Sequence, residues 1–303
     1  MNMNISCRIA NADTQCGRIT NPPEREIMKK TLVKLVYMCL CLFMVCSCNS
    51  HSLQMNKFDM HGNDYRLFQN TPAWELAKAV QDEDITAIES IVSSNPKIIN
   101  YQDSIYGNTL LMLTIMNQQF NSFKTLLNKG ADVNIHDTFD GTSALIDACS
   151  YNFYDTIYAK MLVEYGANVN DIETGKRREG NSTRLTPLIA ASKANWLDMI
   201  KYLVSKGADV NYQNEYGQSA LSESVMLGNY EVAYYLLLNG ADYKKPIFFR
   251  PDYSIPMEKS NPNNKGKPIY LKDILIEDVT EAESKQYKYK LLIERFINDN
   301  NAD

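Results

Sequence analysis

A five-residue motif recurs along this chain and constrains its fold more than any other feature. The motif reads Gly-Ala-Asp/Asn-Val-Asn, incomplete in its last copy, and begins at Gly130, Gly166, Gly207 and Gly240. Two apolar residues stand shortly before each copy. Residues that open the units, Gly107, Gly141, Arg184 and Gly217, are spaced 34, 43 and 33 residues apart. This period predicts a repeat architecture whose units must stack to bury their apolar faces.

Each unit also carries residues suited to starting and ending a helix. A hydroxyl side chain stands where it would cap the first helix, at Thr109, Ser143, Thr186 and Ser219. Pro187 follows one of these caps, at a first helical position where a missing N–H costs nothing. The motif glycines supply the left-handed residue that ends a second helix. The pattern therefore predicts helix pairs.

This set of residues and spacings resembles the ankyrin repeat over residues 71–243. The resemblance implies an all-α solenoid of about five helix-turn-helix units. Thr71-Pro72 opens a degenerate leading unit, which we expect to act as an N-terminal cap. The second of the four full units, which begins at Gly141, is longer than the others, and its polar loop 171–185 is predicted to project from the stack.

Residues 244–303 do not continue the repeat. Five of the ten prolines lie in 244–268, which predicts an irregular extended segment. Two short helices are expected after it, with apolar faces at Leu271/Ile274/Leu275 and at Tyr289/Leu292/Ile293/Phe296. We expect them to cover the last repeat as a C-terminal helical capping extension; the alternative is that they bind a partner.

The N-terminal region resembles a bacterial lipoprotein signal. Met28-Lys29-Lys30 precedes an apolar run, Leu35–Val45, that is too short to span a bilayer but typical of a signal peptide. The run ends in Val45-Cys46-Ser47-Cys48, which is similar to a lipobox. The small Ser47 favours lipidation of Cys48 over Cys46, which follows Val45. An ordinary cleaved signal with incidental cysteines is the alternative.

These residues divide the N-terminal region into three predicted parts. Residues 1–27 are expected to be an over-extended start, 28–47 a cleaved signal peptide, and 48–70 a lipid anchor and polar tether. No acidic run follows Cys48, so we expect a periplasm-facing lipoprotein of the bacterial cell envelope, with the outer membrane favoured.

Cleavage before Cys48 would change the charge and cysteine content of the protein. It removes six of the 31 basic and three of the 36 acidic residues, leaving 25 and 33 and moving the net charge from −5 to −8. Such a chain is not expected to bind nucleic acid, which requires a basic face. Cys48 and Cys149 would be the only remaining cysteines, so no disulfide framework is expected. Cys149 lies in an apolar helical run and is predicted to be buried.

The sequence contains no recognisable catalytic or metal-binding motif. Its three histidines, His51, His61 and His136, are dispersed, and no phosphate-binding loop is present. The motif acids Asp132, Asp209 and Asp242 are expected to bind local backbone amides. We therefore predict no enzyme activity, no metal, no cofactor and no small-molecule substrate.

The ankyrin resemblance implies a binding surface on the concave side, formed by turn tips and first helices. Nine positions carried over from that pattern hold large apolar or aromatic residues, and these are the predicted partner-binding residues: Ile105, Tyr106, Met116, Phe139, Tyr151, Leu185, Tyr216, Met226 and Leu227. Large apolar residues at positions expected to face water favour a binding patch. The alternative is that some of them pack neighbouring turns or the C-terminal segment.

A lipid-anchored stack of this kind resembles immunity proteins that protect bacteria from secreted antibacterial toxins. The specific hypothesis is therefore non-enzymatic capture of a toxin in the envelope, such as a phospholipase delivered by a type VI system. The alternative is a scaffold or assembly factor for a resident envelope complex.

Overall fold

Consecutive helix pairs occupy the repeat region, as the 33-residue period predicts. The computed structural model describes residues 60–150, 155–175, 184–214, 217–250 and 267–300, all within one compact unit, Met55–Asp303. The five pairs in this part of the chain are α1 (Trp74–Gln81) with α2 (Ile85–Ser94), α3 (Leu110–Met116) with α4 (Phe120–Asn128), α5 (Ala144–Ser150) with α6 (Thr156–Glu164), α7 (Pro187–Lys193) with α8 (Leu197–Ser205), and α9 (Ala220–Met226) with α10 (Tyr230–Leu238). The prediction of an all-α solenoid of five units is confirmed.

Hydroxyl caps begin the first helices of three units. The Thr109, Thr186 and Ser219 hydroxyls accept hydrogen bonds from the third helical backbone N–H, at 3.3, 3.2 and 3.1 Å respectively. Each such bond satisfies an otherwise unpaired amide at the helix start and stabilises it by roughly 1 kcal/mol. The motif glycines at the far ends of the second helices have φ between +85° and +92°, the left-handed values that end a helix.

Ser143 is an exception, and the prediction that it caps α5 is wrong. Its hydroxyl is buried without a hydrogen-bond partner in the described part of the chain. Ser219 is held in its capping geometry by a reciprocal bond, in which the Ser219 N–H donates to the Ser222 hydroxyl oxygen at 2.7 Å. This reciprocal bond is specific to Ser219, because the equivalent position holds the apolar residues Met112, Ile146 and Ile189 in the other full units.

Asparagines at the end of the motif connect each unit to the next. Asn134 Nδ2 donates to the Gly166 carbonyl at 3.1 Å, while its Oδ1 accepts the Asn168 N–H at 3.0 Å. Asn170 and Asn211 repeat both bonds one and two units later. The motif acids accept local backbone N–H groups, as predicted: Asp132, Asp209 and Asp242.

The core runs through the stack as repeated layers. Equivalent leucines of the four full units, Leu111, Leu145, Leu188 and Leu221, are all buried. Each contributes about 1.5–3 kcal/mol of burial free energy. The first helices α3, α5, α7 and α9 pack against one another in series, with α5–α7 and α7–α9 the most extensive helix–helix contacts between units. The first helices therefore form one layer of the stack, which is the side that the ankyrin resemblance assigns to the concave, inner face.

The N-terminal strap, which we define as residues 60–68, packs on this stack. Met60, Tyr65, Leu67 and Phe68 are buried in the core, the last three within a short 3-10 helix, Tyr65–Phe68. The sequence assigned 60–70 to a polar tether, and that assignment is wrong from Met60 onward. The physical reason is that the four apolar side chains find a hydrophobic surface on the leading units.

The C-terminal extension covers the last repeat. Strand β1 (Phe248–Arg250) pairs antiparallel with β2 (Lys267–Ile269), and helices α11 (Leu271–Glu277) and α12 (Lys285–Asn300) follow. Helix α12 packs along α10, and α11 contacts α9. These contacts confirm the capping extension, although α12 is longer than expected for a short helix. No helix in the described ranges is both long and apolar enough to cross a bilayer.

Polar contacts attach α12 to the stack as well. Tyr289 OH donates to Glu231 Oε1 at 2.9 Å, and Lys285 Nζ lies 2.5 Å from Glu231 Oε2. Ile293, on the same helix, is fully buried, as predicted. Leu292 differs from the prediction, because it faces solvent while Ile297 takes a place in the core.

Candidate functional site

Most of the predicted partner-binding residues in the described ranges are half-buried. Ile105, Tyr106, Met116 and Leu185 pack against the hydrophobic core. Phe139 is also half-buried, with its ring 5.3 Å from that of Tyr106 in an edge-on contact. These five side chains therefore support the turns as well as presenting some surface. Cys48, Tyr151 and Tyr216 lie outside the described residues.

The N-terminal strap occupies the inner face of the first full unit. Tyr106 OH donates to the Met60 carbonyl at 2.8 Å, and Asn108 Nδ2 donates to the Gly62 carbonyl at 3.0 Å. Asn117 Nδ2 donates to the Asn63 carbonyl at 2.9 Å. The ankyrin pattern placed Tyr106 on the concave side, and there its hydroxyl binds the strap of the same chain together with the Asn108 and Asn117 amides.

Carboxylates hold the turn tips in place through hydrogen bonds from backbone amides. Asp137 accepts N–H bonds from Phe139 and Asp140, both at 2.7 Å, and from Thr142 at 2.8 Å. Asp103 holds the preceding tip in the same way. Neighbouring tips are joined by the Thr138 N–H, which donates to the Tyr106 carbonyl at 2.8 Å. A partner would thus meet a preorganised edge, which lowers the entropic cost of binding.

Two predicted residues remain well exposed at the C-terminal end of α9. Met226 is 52% and Leu227 55% exposed, and they are adjacent in sequence. Leu238, at the end of the second helix of the same unit, is 58% exposed. The first two lie on the inner helix of a unit that the strap does not reach. Among the predicted residues that the structure describes, these two have the most exposed side chains.

Asp147 is a feature of the inner helices that sequence reasoning missed. It stands on α5 at the position that Leu113 and Ala190, both buried, occupy in neighbouring units. Its burial, together with the carboxylates of Asp137, Glu173 and Asp140, raises the pKa of Asp147 to about 8. Aligning the repeats position by position places Asp147 and Glu223 at a position that is apolar in the other two full units.

Other chemically reactive residues have structural roles. His136 connects two units through Thr174 Oγ1 at 2.8 Å and Asp171 Oδ1 at 3.0 Å. Cys149 is buried, as predicted, and burial raises the pKa of its thiol well above the usual range. No group of three or more potential metal ligands is found within the ranges that the structure describes.

Comparison with known proteins agrees with this geometry. A family model described as ankyrin repeats (3 copies) matches residues 76–173 and 173–246. A putative ankyrin repeat protein, R664, of Acanthamoeba polyphaga mimivirus is 35% identical over 121 residues, which cover 35% of this chain and 73% of that protein. Neurogenic locus notch homolog protein 1 of Homo sapiens is 26% identical over 170 residues, which cover 55% of this chain. A putative ankyrin repeat protein, FPV024, of Fowlpox virus (strain NVSL) is 33% identical over 115 residues, which cover 38% of this chain.

The matched region spans most of the mimivirus protein but only 6% of the notch homolog and 18% of the fowlpox protein. What these relatives share with the chain is therefore the repeat itself. The family model covers more than half of the chain, and the helix pairs, capping residues and motif asparagines that the structure shows lie within it. Stacked units of this type form modules for protein–protein interaction, and this chain belongs to the ankyrin-repeat family.

Proposed function

We propose that the chain is a lipid-anchored protein-binding module of the bacterial cell envelope that captures another protein on the inner face of its last three units, α5 to α10. The observation that carries this proposal is the exposure of Met226 and Leu227 at the end of α9. Large apolar side chains in contact with water favour burial in an interface. The first full unit is less suited to this role, because the strap already binds its inner face.

The charge of the protein favours a basic partner. The part of the chain that would remain after cleavage before Cys48 carries a net charge of −8, as counted above from 25 basic and 33 acidic residues. Glu223, on the same helix as Met226, adds a carboxylate to the proposed surface. Such a charge mainly increases the rate of encounter with a positively charged protein.

The most specific form of the proposal is an immunity protein. A stack anchored through Cys48 would hold its inner face in the periplasm, where it could capture a secreted antibacterial toxin such as a type VI phospholipase effector. The toxin would be neutralised by blockage of its active site, with no chemistry required of the stack. If the same surface instead binds only resident envelope proteins, the chain is a scaffold or assembly factor.

Paired substitutions test the surface. We expect Met226→Ser with Leu227→Ser to weaken partner binding by roughly 100-fold, because two side chains of an interface core lose about 1–2 kcal/mol each. Cells carrying this variant should lose protection from a toxin encoded in a neighbouring reading frame. Binding would be measured by calorimetry with the captured protein.

Leu238→Ser is the matched control, since Leu238 is equally exposed but lies on the second helix. It should leave affinity and protection unchanged. Equal losses from both sites would show that the inner face is not the binding surface. If the chain protects cells from no toxin and captures only resident envelope proteins, the alternative function as a scaffold is favoured.

The anchor has its own test. We expect Cys48→Ala to abolish incorporation of labelled palmitate and to release the protein from the membrane fraction, because the thiol is the proposed acyl acceptor. Cys46→Ala should still be labelled, since Ser47-Cys48 is intact. Labelling that survives Cys48→Ala but not Cys46→Ala would move the anchor to Cys46.

A further inference from the structure

A cavity at the C-terminal end of the solenoid lies apart from the proposed interface. It has a volume of about 240 Å³ and is lined by Tyr243, Lys244, Tyr270, Lys272 and Ile297. These residues come from the end of the last repeat, the start of α11 and the last turns of α12. The volume lies just below the ~300–1,000 Å³ typical of sites for drug-sized molecules, so the cavity suits a small organic ligand.

The repeat motif changes at the rim of this cavity. Val-Asn closes the motif in three units, whereas Tyr243-Lys244 stands in its place after Asp242. The turn itself is retained, because Asp242 Oδ1 accepts the Lys244 N–H at 3.0 Å as in the other units. Tyr243 packs its ring edge-on against Phe296, with the ring centres 5.9 Å apart. The departure thus leaves the fold unchanged and adds an aromatic wall and an ammonium group.

The two lysines that line the cavity differ from nearby lysines in having no carboxylate partner in the described ranges. Lys245, Lys285 and Lys290 each lie within 4.0 Å of a carboxylate oxygen. Within the described part of the chain, Lys244 and Lys272 have no such carboxylate, and the cavity-lining residues found there include no acidic side chain. Asp273, next to Lys272, is engaged by the Tyr270 N–H at 3.0 Å. Two lysines without acidic partners among the residues that the structure describes therefore line one cavity of an acidic protein, and the Lys244 Nζ lies 5.9 Å from the centre of the Tyr243 ring.

We propose that this cavity binds a small organic carboxylate. Its apolar or aromatic body packs against Tyr243, Tyr270 and Ile297, and its carboxylate is held by the ammonium groups of Lys244 and Lys272. The tyrosine rings favour a flat body, since they can contact it through their faces or edges. The lysines supply charge-assisted hydrogen bonds, which are about twice as strong as neutral ones.

Benzoate is the probe, and benzamide is its uncharged counterpart of the same shape. We expect benzoate, titrated into the full 303-residue chain, to shift the amide resonances of Lys244 and Lys272 saturably, with a dissociation constant of roughly 1 mM or tighter. Benzamide should bind at least about fivefold more weakly, and added salt should weaken benzoate binding.

Matched lysine variants complete the test. Lys244→Gln and Lys272→Gln should each weaken benzoate binding about tenfold. Lys245→Gln removes the same charge from the next position, where the lysine pairs with Asp242 and does not line the cavity, and should change affinity less than about twofold. Absence of saturable shifts at these residues, equal binding of benzamide, or an equal loss in Lys245→Gln would overturn the proposal.

Discussion

Replacing Asp147 by asparagine should stabilise the protein by about 2–4 kcal/mol at pH 8.5, with little effect at pH 4. In the folded state Asp147 has a pKa of about 8, raised by burial and by the Asp137, Glu173 and Asp140 carboxylates. In the unfolded chain an aspartate titrates near 3.9. The folded state therefore binds the proton more tightly, and its stability decreases as the pH rises from about 4 to about 8. Above pH 8 Asp147 is ionised in the folded protein, and the full free-energy cost of that buried charge lowers its stability. Asparagine carries no charge, so the variant avoids this cost.

Urea denaturation of the wild-type protein and the variant at pH 4, 6 and 8.5 measures this difference. Because Asp147 is half-buried, solvent screening keeps the expected gain below the free energy that corresponds to the full difference between its folded and unfolded pKa values. Asp198→Asn is the matched control: Asp198 lies on α8, is 84% exposed and pairs with Lys201 at 3.7 Å. It should show no gain that grows with pH. A gain from Asp147→Asn that is the same at every pH would contradict the titration and point to packing instead.

The sequence predicted those parts of the fold that depend on short-range chemistry. A positive φ at Gly207 and a hydroxyl cap at Thr186 need only residues within one turn, so the pattern identifies them directly. Leu111 and its equivalents were predictable as core because the period of the repeat places them on the stacked face.

The parts of the fold that the sequence did not predict depend on contacts between residues far apart in the chain. Met60, Tyr65 and Phe68 stand among polar residues outside the repeat, and their burial depends on surfaces formed elsewhere in the chain. Tyr106 is half-buried for the same reason, because Met60 of the strap and Phe139 of the next unit lie against it. The role of the predicted patch in binding stays a prediction, and the exposure of its side chains depends on contacts that residue types alone do not show.

Ile293→Asp should destabilise the protein by about 4 kcal/mol or more, because it places an unpaired carboxylate in a fully buried position. Ile293 is 0% exposed on α12, whereas the adjacent Leu292 is 36% exposed on the same helix. Leu292→Asp introduces the same charge one residue away and should cost less than about 1 kcal/mol. Urea denaturation at pH 7 measures both.

This pair distinguishes a structural cap from a binding helix, the alternative that the apolar spacing of the C-terminal helices left open. If α12 serves to cover α10, the two variants should differ strongly in stability, and Leu292→Asp should bind the partner as the wild-type protein does. If α12 also contacts a partner, Leu292→Asp should fold normally and lose affinity, because its exposed apolar surface would then belong to the interface. An Ile293→Asp variant as stable as the wild-type protein would show that the last repeat does not need this cap, despite the burial of Ile293 against it.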